Sequence, residues 1–171
     1  MENFTSKKIG VWLDFKIQPE NEWIKFFHKL KNANISECFI NANVDQLDYL
    51  VSLTKDYNLN IHGWIWTLNR PYDENSSKNL DWYSVNKNGQ NSYEYRPYVD
   101  YYQWLSPFSG GARKYIKDNI SKIASVDGLS SVHLDYVRYC DIFLPINLQK
   151  YYKINQTCEF PEYDFGYHPN G

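Results

Sequence analysis

Ser131-Val132-His133-Leu134-Asp135-Tyr136-Val137-Arg138-Tyr139 begins as an apolar, β-branched run, the composition of a buried strand, with two strongly polar groups inside it. It follows Asp127-Gly128, a turn signal. As a strand it points His133, Asp135 and Val137 one way and Val132, Leu134 and Tyr136 the other. One face then holds an imidazole followed by a carboxylate near the strand's carboxyl end. A buried carboxylate without a partner is costly. Asp135 is therefore a loop cap, an ion-pair partner of Arg138, or a site residue.

Working outward, the same pattern recurs. Ile9-Gly10-Val11-Trp12-Leu13-Asp14-Phe15 reads as a first strand, and Pro19-Glu20 open a helix with Trp23, Ile24, Phe26, Phe27 and Leu30 at helical spacing. Glu37 to Asn43 is a second strand ending in asparagines, followed by a helix with Leu47, Leu50, Val51 and Thr54 on one face. Asn60 to Leu68 is a third strand on which His62, Trp64 and Trp66 share a face, running into Asn69-Arg70-Pro71. A stretch rich in Tyr, Asn, Pro and Trp, about 70–109, has no sustained periodicity and reads as a long functional loop within one domain over 1–171. Gly110-Gly111 then start a third helix with Ala112, Tyr115, Ile116, Ile120 and Ile123 on one side. Cys140 to Gly171 is loop-like, with one short helix around Leu148 to Tyr152.

Nearly continuous apolar strands alternating with amphipathic helices predict an α/β fold with a helix-covered parallel sheet in the order 1-2-3-4. Each strand turns polar at the same end, at Asp14, at Asn41 with Asn43, at Asn69 with Arg70, and at Asp135 with Arg138. In a (β/α)8 barrel those ends surround the site. This shared polarity favours the functional reading of Asp135 over the cap.

Composition bounds the chemistry. With 43% hydrophobic and 22% charged residues in a 171-residue chain, a packed core is expected and disorder is not. A net charge of −2 leaves no basic footprint for nucleic acid. Aromatic residues reach 18%, with 16 Tyr and 6 Trp; such rings either stack on sugar faces or fill the core. Cys38, Cys140 and Cys158 lack metal-ligand spacing, and His168 with Cys158 is too sparse for zinc. No metal and no cofactor is expected. Glu159, Glu162 and Asp164 read as solvated loop residues. Ser109 and Ser131 lie in no G-x-S-x-G pattern. Met1 to Lys8 has no apolar signal region, and no run approaches membrane-spanning length.

With those residues assembled, the chain resembles the amino-terminal part of the family 10-like glycoside hydrolases, bacterial glycosidases with a (β/α)8 barrel. The resemblance runs through Gly10-Val11-Trp12, Ile61 to Arg70, Asp81 to Asn86 and Tyr101 to Pro107. It is most specific at His133-Leu134-Asp135-Tyr136-Val137-Arg138-Tyr139, where the family has a His-Leu-Asp-Tyr-Ile-Arg-Tyr-like strand. A looser similarity links Val132-His133-Leu134-Asp135 to the fourth barrel strand of the α-amylase clan, where an Arg takes the His133 place and the Asp is the nucleophile.

The resemblance implies hydrolysis of O-glycosidic bonds in a poly- or oligosaccharide. Asp135 would act as nucleophile or general acid/base, with His133 and Arg138 tuning its charge. Asp14, Asn41, Asn43, Trp66, Asn69, Arg70, Trp82, Tyr136 and Tyr139 would hold the sugar. Trp64 and Trp66 equally suit a sugar subsite or a packed barrel centre. The partners expected are a carbohydrate and the carboxy-terminal half of a barrel, not nucleic acid or membrane. The resemblance also implies an extracellular or periplasmic setting for a full-length form. A complete barrel takes about 250 residues and glycosidases usually need a second carboxyl group, so only the first four β/α units are expected here, inactive alone. The alternative is a non-catalytic carbohydrate-binding or structural remnant.

Four parallel strands leave strands one and four as bare edges, and such edges invite pairing. The 171-residue chain is expected to self-associate in sedimentation experiments; a monodisperse monomer with a cooperative melt would contradict this.

Overall fold

A computed structural model describes residues 8–96 and 98–171. The stretch read as free of an apolar signal region lies, apart from Lys8, outside the described residues. The main elements are β1 (Gly10–Asp14), α1 (Glu20–Asn32), β2 (Glu37–Asn41), α2 (Val44–Thr54), β3 (Asn60–Trp66), α3 (Gly110–Ala124), β4 (Ser131–Asp135) and α4 (Ile146–Gln149). Short 3-10 turns lie at Ser76–Lys78, Leu80–Trp82 and Pro161–Tyr163. The strands form one sheet in the order β1-β2-β3-β4, as the alternation predicted. Parallel register sets Trp12 opposite Phe39 and Phe39 opposite His62.

The chain forms two compact units. The first comprises Met1–Ile65 and Asn119–Asp135, the second Trp66–Asp118 and Tyr136–Gly171.

In the first unit, alternate strand positions bury against helices. Cys38, Ile40, Ile61 and Ile65 point to one face and join Trp23, Phe27, Leu47, Leu50 and Ile123 in a single core. α1 carries Glu20 and Glu22 in its first turn and Lys29 and Lys31 in its last, matching the helix dipole at both ends. α2 begins with a capping box: Asn43 Oδ1 accepts from the Gln46 backbone N–H at 2.9 Å, and Gln46 Oε1 accepts from the Asn43 N–H at 3.0 Å. Gly63 lies mid-strand because a Cβ there would come within 2.5 Å of Ile123 Cγ2. The other sheet face carries rings. Trp12 stacks on Phe39 at 4.7 Å and Phe39 on His62 at 4.5 Å, yet Trp12 is 55% exposed.

All four strands stop earlier than their sequence suggests, β1 at Asp14 instead of Phe15. β2 ends at Asn41, because Asn43 is the helix cap, and β3 ends at Trp66. β4 ends at Asp135, because Tyr136 takes φ 52°, a left-handed conformation costly for a residue with a Cβ. The two-faced alternation therefore covers Val132 to Asp135, and the reading that carried it on to Tyr136 and Val137 is corrected.

The second unit contains the stretch read as a long loop. Its chain is irregular but packed: Tyr98, Val99, Tyr102, Trp104, Cys140, Leu144, Tyr163 and Phe165 form one buried cluster, and Tyr83, Leu105 and Ala112 another. Isolated antiparallel bridges join Asn69 to Trp104, Tyr83 to Leu105 and Val85 to Asn91. Ser92 Oγ donates to the Trp104 carbonyl at 2.7 Å and accepts from the Trp104 N–H at 3.0 Å. Side chains here do the work that a ladder does in a sheet.

Overpacking a tight backbone contact typically costs about 1–3 kcal/mol. Gly63→Ala is expected to lose stability in that range by denaturant titration. Gly110→Ala, with nothing within 4 Å of its added methyl, should stay within about 0.5 kcal/mol of wild type.

Candidate active site

The carboxyl ends of the strands in the first unit carry Asp14, Asn41 and Asp135, as the shared polarity predicted. Asn41 Nδ2 donates to Asp14 Oδ1 at 2.9 Å. Trp64 Nε1 donates to Asp135 Oδ2 at 3.1 Å, which fixes the carboxylate beside the indole. His133 and Asp135 lie on the same face of β4, and the His133 ring packs 5.0 Å from Phe39 and 5.8 Å from Trp12. Asp14 also borders a cavity of about 350 Å³ with Lys16, Gln18, Trp23 and Phe26. Asn43, read as a sugar contact, spends its side chain on capping α2.

A second polar cluster, which motif reading missed, occupies the opposite ends of the strands. Glu37 at the start of β2 is 8% exposed. It receives Asn60 Nδ2 at 3.0 Å and Lys8 Nζ at 3.1 Å on Oε1, and its Oε2 lies 2.7 Å from His62 Nε2. Burial alone would raise the Glu37 carboxyl, but the hydrogen bonds from His62, Asn60 and Lys8 together outweigh it and hold the group at about 2. The other ring nitrogen, His62 Nδ1, lies 2.7 Å from Ser131 Oγ. No spacing signal announces this cluster, because its members come from the starts of different strands.

The remaining predicted residues belong to the second unit. Asn69 is fully buried, and its Oδ1 accepts from the Gln103 N–H at 3.0 Å. Arg70 forks onto Asp73 Oδ2 at 2.9 and 2.6 Å and donates to the Trp66 carbonyl at 2.9 Å. Asp73 was not singled out in the sequence, although an Asp three residues before Ser76 is an Asx-turn signal. Burial would raise its carboxyl, but bonds from Tyr115, the Ser76 N–H and Arg70 hold it below the usual range. Trp82 packs beside Tyr115, and a Cβ on Gly111 would collide with its indole; Gly111 is the close approach that this ring needs.

Arg138 pairs with Asp141 at 2.8 Å and lies over the rings of Trp104, at 5.0 Å, and Tyr136, at 5.6 Å. Tyr136 in turn packs 4.8 Å from Trp66. Tyr139 is half exposed. A cavity of about 260 Å³ opens beside Arg138 and Tyr139, bordered by Leu68, Ser84, Leu105 and Val137. That volume is close to the small end of ligand pockets, about 300 Å³.

Burial pushes the Cys38 thiol up to about 11 and the Cys140 thiol to about 12, so neither is a ready nucleophile. Among the described residues no three His, Cys, Asp or Glu side chains converge on a metal-sized site. No helix among them is long and apolar enough to cross a membrane.

No family model and no curated protein matches the sequence. Solved structures do match the fold. A β-galactosidase from the psychrophilic Marinomonas ef1 aligns over 75% of this chain and 21% of its own, at 12% identity and a TM-score of 0.59. A β-galactosidase from the haloarchaeon Halorubrum lacusprofundi aligns over 75% and 21%, at 12% identity and a TM-score of 0.60. The GH36 α-galactosidase AgaA of Geobacillus stearothermophilus, solved with stachyose, aligns over 85% and 24%, at 14% identity and a TM-score of 0.54. The chain thus spans between a fifth and a quarter of the length of these neighbours, and it has a glycosidase-like α/β fold.

A carboxyl held at about 2 in the fold, against 4.5 ordinarily, contributes stability that is complete above pH 4.5 and is lost as pH falls through 2. The melting temperature should drop across that window. Glu37→Gln should flatten the drop, and an unchanged acid limb in this variant would contradict the ionised, buried Glu37.

Proposed function

We propose that the chain corresponds to the first four β/α units of a family 10-like glycoside hydrolase barrel, acting on O-glycosidic bonds of a poly- or oligosaccharide. The observation that carries this reading is the position of Asp135 at the carboxyl end of β4, on the face it shares with His133, with its carboxylate held by the Trp64 indole. Carboxyl strand ends are where barrel enzymes keep their chemistry. The glycosidase-like fold supports the same class.

In this reading Asp135 is the nucleophile or the general acid/base of a completed barrel, and a second carboxyl group comes from a later strand. His133 sits two residues away on the same face of β4. Asp14 and Asn41 offer hydroxyl-binding groups at the neighbouring strand ends. Arg138 and Tyr139 offer carbohydrate contacts at their cavity, and Trp66, Arg70, Trp82 and Tyr136 offer further ones in the second unit, whereas Asn69, fully buried on the Gln103 N–H, shapes the loop and touches no sugar.

A non-catalytic carbohydrate-binding role is the second reading. The stack of Trp12, Phe39 and His62, open to solvent at Trp12, favours it, since such a platform binds a sugar face without an acid/base pair.

Asp135→Asn keeps size and hydrogen bonding while removing the ionisable group. In the completed enzyme it should lower turnover by at least about 10²-fold with little change in binding. A structural Asp135 would instead lose about 1–3 kcal/mol of stability with turnover per folded molecule unchanged, and that result would end the catalytic assignment.

A further inference from the structure

At the amino-terminal ends of β2, β3 and β4, three side chains stand in line. Ser131 Oγ lies 2.7 Å from His62 Nδ1, and His62 Nε2 lies 2.7 Å from Glu37 Oε2. The His62 and Glu37 side chains are 12% and 11% exposed, whereas Ser131 is exposed. Sequence reading set Ser131 aside because it lacks the G-x-S-x-G turn. The fold supplies its neighbours from two other strands.

The partners decide the protons. An ionised carboxylate only accepts hydrogen bonds, so Nε2 carries a proton toward Glu37. In the neutral ring Nδ1 is then the acceptor, and the Ser131 hydroxyl is its donor. A hydroxyl bonded to a base, with that base oriented by a third group, is the general signature of an activated nucleophile. The carboxylate here engages Nε2 and the serine Nδ1. Either ring nitrogen can serve as the base, provided that the other is held.

We propose that Ser131, His62 and Glu37 form a nucleophile–base–orienter relay that reacts with activated acyl and phosphonyl esters at the solvent-facing end of the sheet. Ser131 Oγ attacks the carbonyl carbon or phosphorus, and its proton passes to His62 Nδ1. The new O–C or O–P bond forms as the bond to the leaving group breaks, and that group departs with the electron pair. Glu37 stabilises the resulting imidazolium. The leaving group then carries off the proton held on His62 Nδ1; for an acyl ester, water next attacks the acyl-serine, gives its proton to the freed Nδ1, and Oγ recovers that proton as the acid departs. Ser131 lies on a strand, without a helix amino terminus to stabilise an oxyanion. That confines the chemistry to electrophiles with good leaving groups. This site is independent of Asp135, and it shares only His62 with the aromatic stack of the carbohydrate-binding reading.

The test is labelling of the 171-residue chain with an alkyl fluorophosphonate, read by intact mass and peptide mapping. One adduct on Ser131 is expected, with fluoride released. Ser131→Ala, an exposed and conservative change, should abolish it. His62→Gln should slow labelling by at least about 10²-fold, and Glu37→Gln should slow it by a smaller factor. Each variant is checked for a native melt. Should His62→Gln fail to fold, the wild-type rate against pH decides: it must rise to a plateau, as deprotonation of a single base requires. No adduct, an adduct elsewhere, a rate indifferent to His62→Gln, or a rate simply proportional to hydroxide would overturn the proposal.

Discussion

The first unit depends on one constraint, the period of two along parallel strands that share a register. With Val11 opposite Cys38 and Cys38 opposite Ile61, every second side chain goes beneath the helices and every other one to the opposite face. Burying Cys38, Ile40, Ile61 and Ile65 fixes that register, since a slip of one residue would exchange the two faces. The same constraint delivers the polar groups. Glu37, His62 and Ser131 meet because they sit near the strand starts, and Asp14, Asn41 and Asp135 stand at the same ends of the sheet because they close their strands.

Strand–helix alternation was legible in the sequence because burial in a parallel sheet writes itself as apolar runs, and because α1 and α2 show helical spacing. The polarity of the strand ends was legible too, at Asp14, Asn41 and Asp135. The reading failed where local chemistry overrode composition. Asn43 looked like one more polar strand end, but Asn is a preferred helix cap. Tyr136 and Val137 continued an apolar strand on paper, yet the left-handed turn at Tyr136 ends it. The Glu37–His62–Ser131 line had no signal at all, since residues 25 and 69 positions apart meet only through the sheet register.

The second unit shows why an aromatic-rich sequence is ambiguous. Tyr83, Tyr98, Tyr102, Trp104 and Tyr163 are buried, so much of the aromatic surplus is core. Arg138 illustrates the same economy. It is held by Asp141 and lies on the Trp104 face, where burial would lower its affinity for a proton, while Tyr102 and Asp141 keep it above the usual range. An irregular chain buries its polar backbone only when side chains satisfy it, as Asn69, Asp73 and Ser92 do here.

The central claim is that the carboxyl ends of the strands form a carbohydrate-facing site around Asp135. The most direct measurement is a two-dimensional 15N–1H NMR titration of the chain with a panel of oligosaccharides. The account predicts shifts concentrated on the Trp64 indole N–H, Asp135, Asn41 and Asp14 for at least one sugar. Shifts confined to the strand starts around Glu37 and Ser131, or none across the panel, would contradict it.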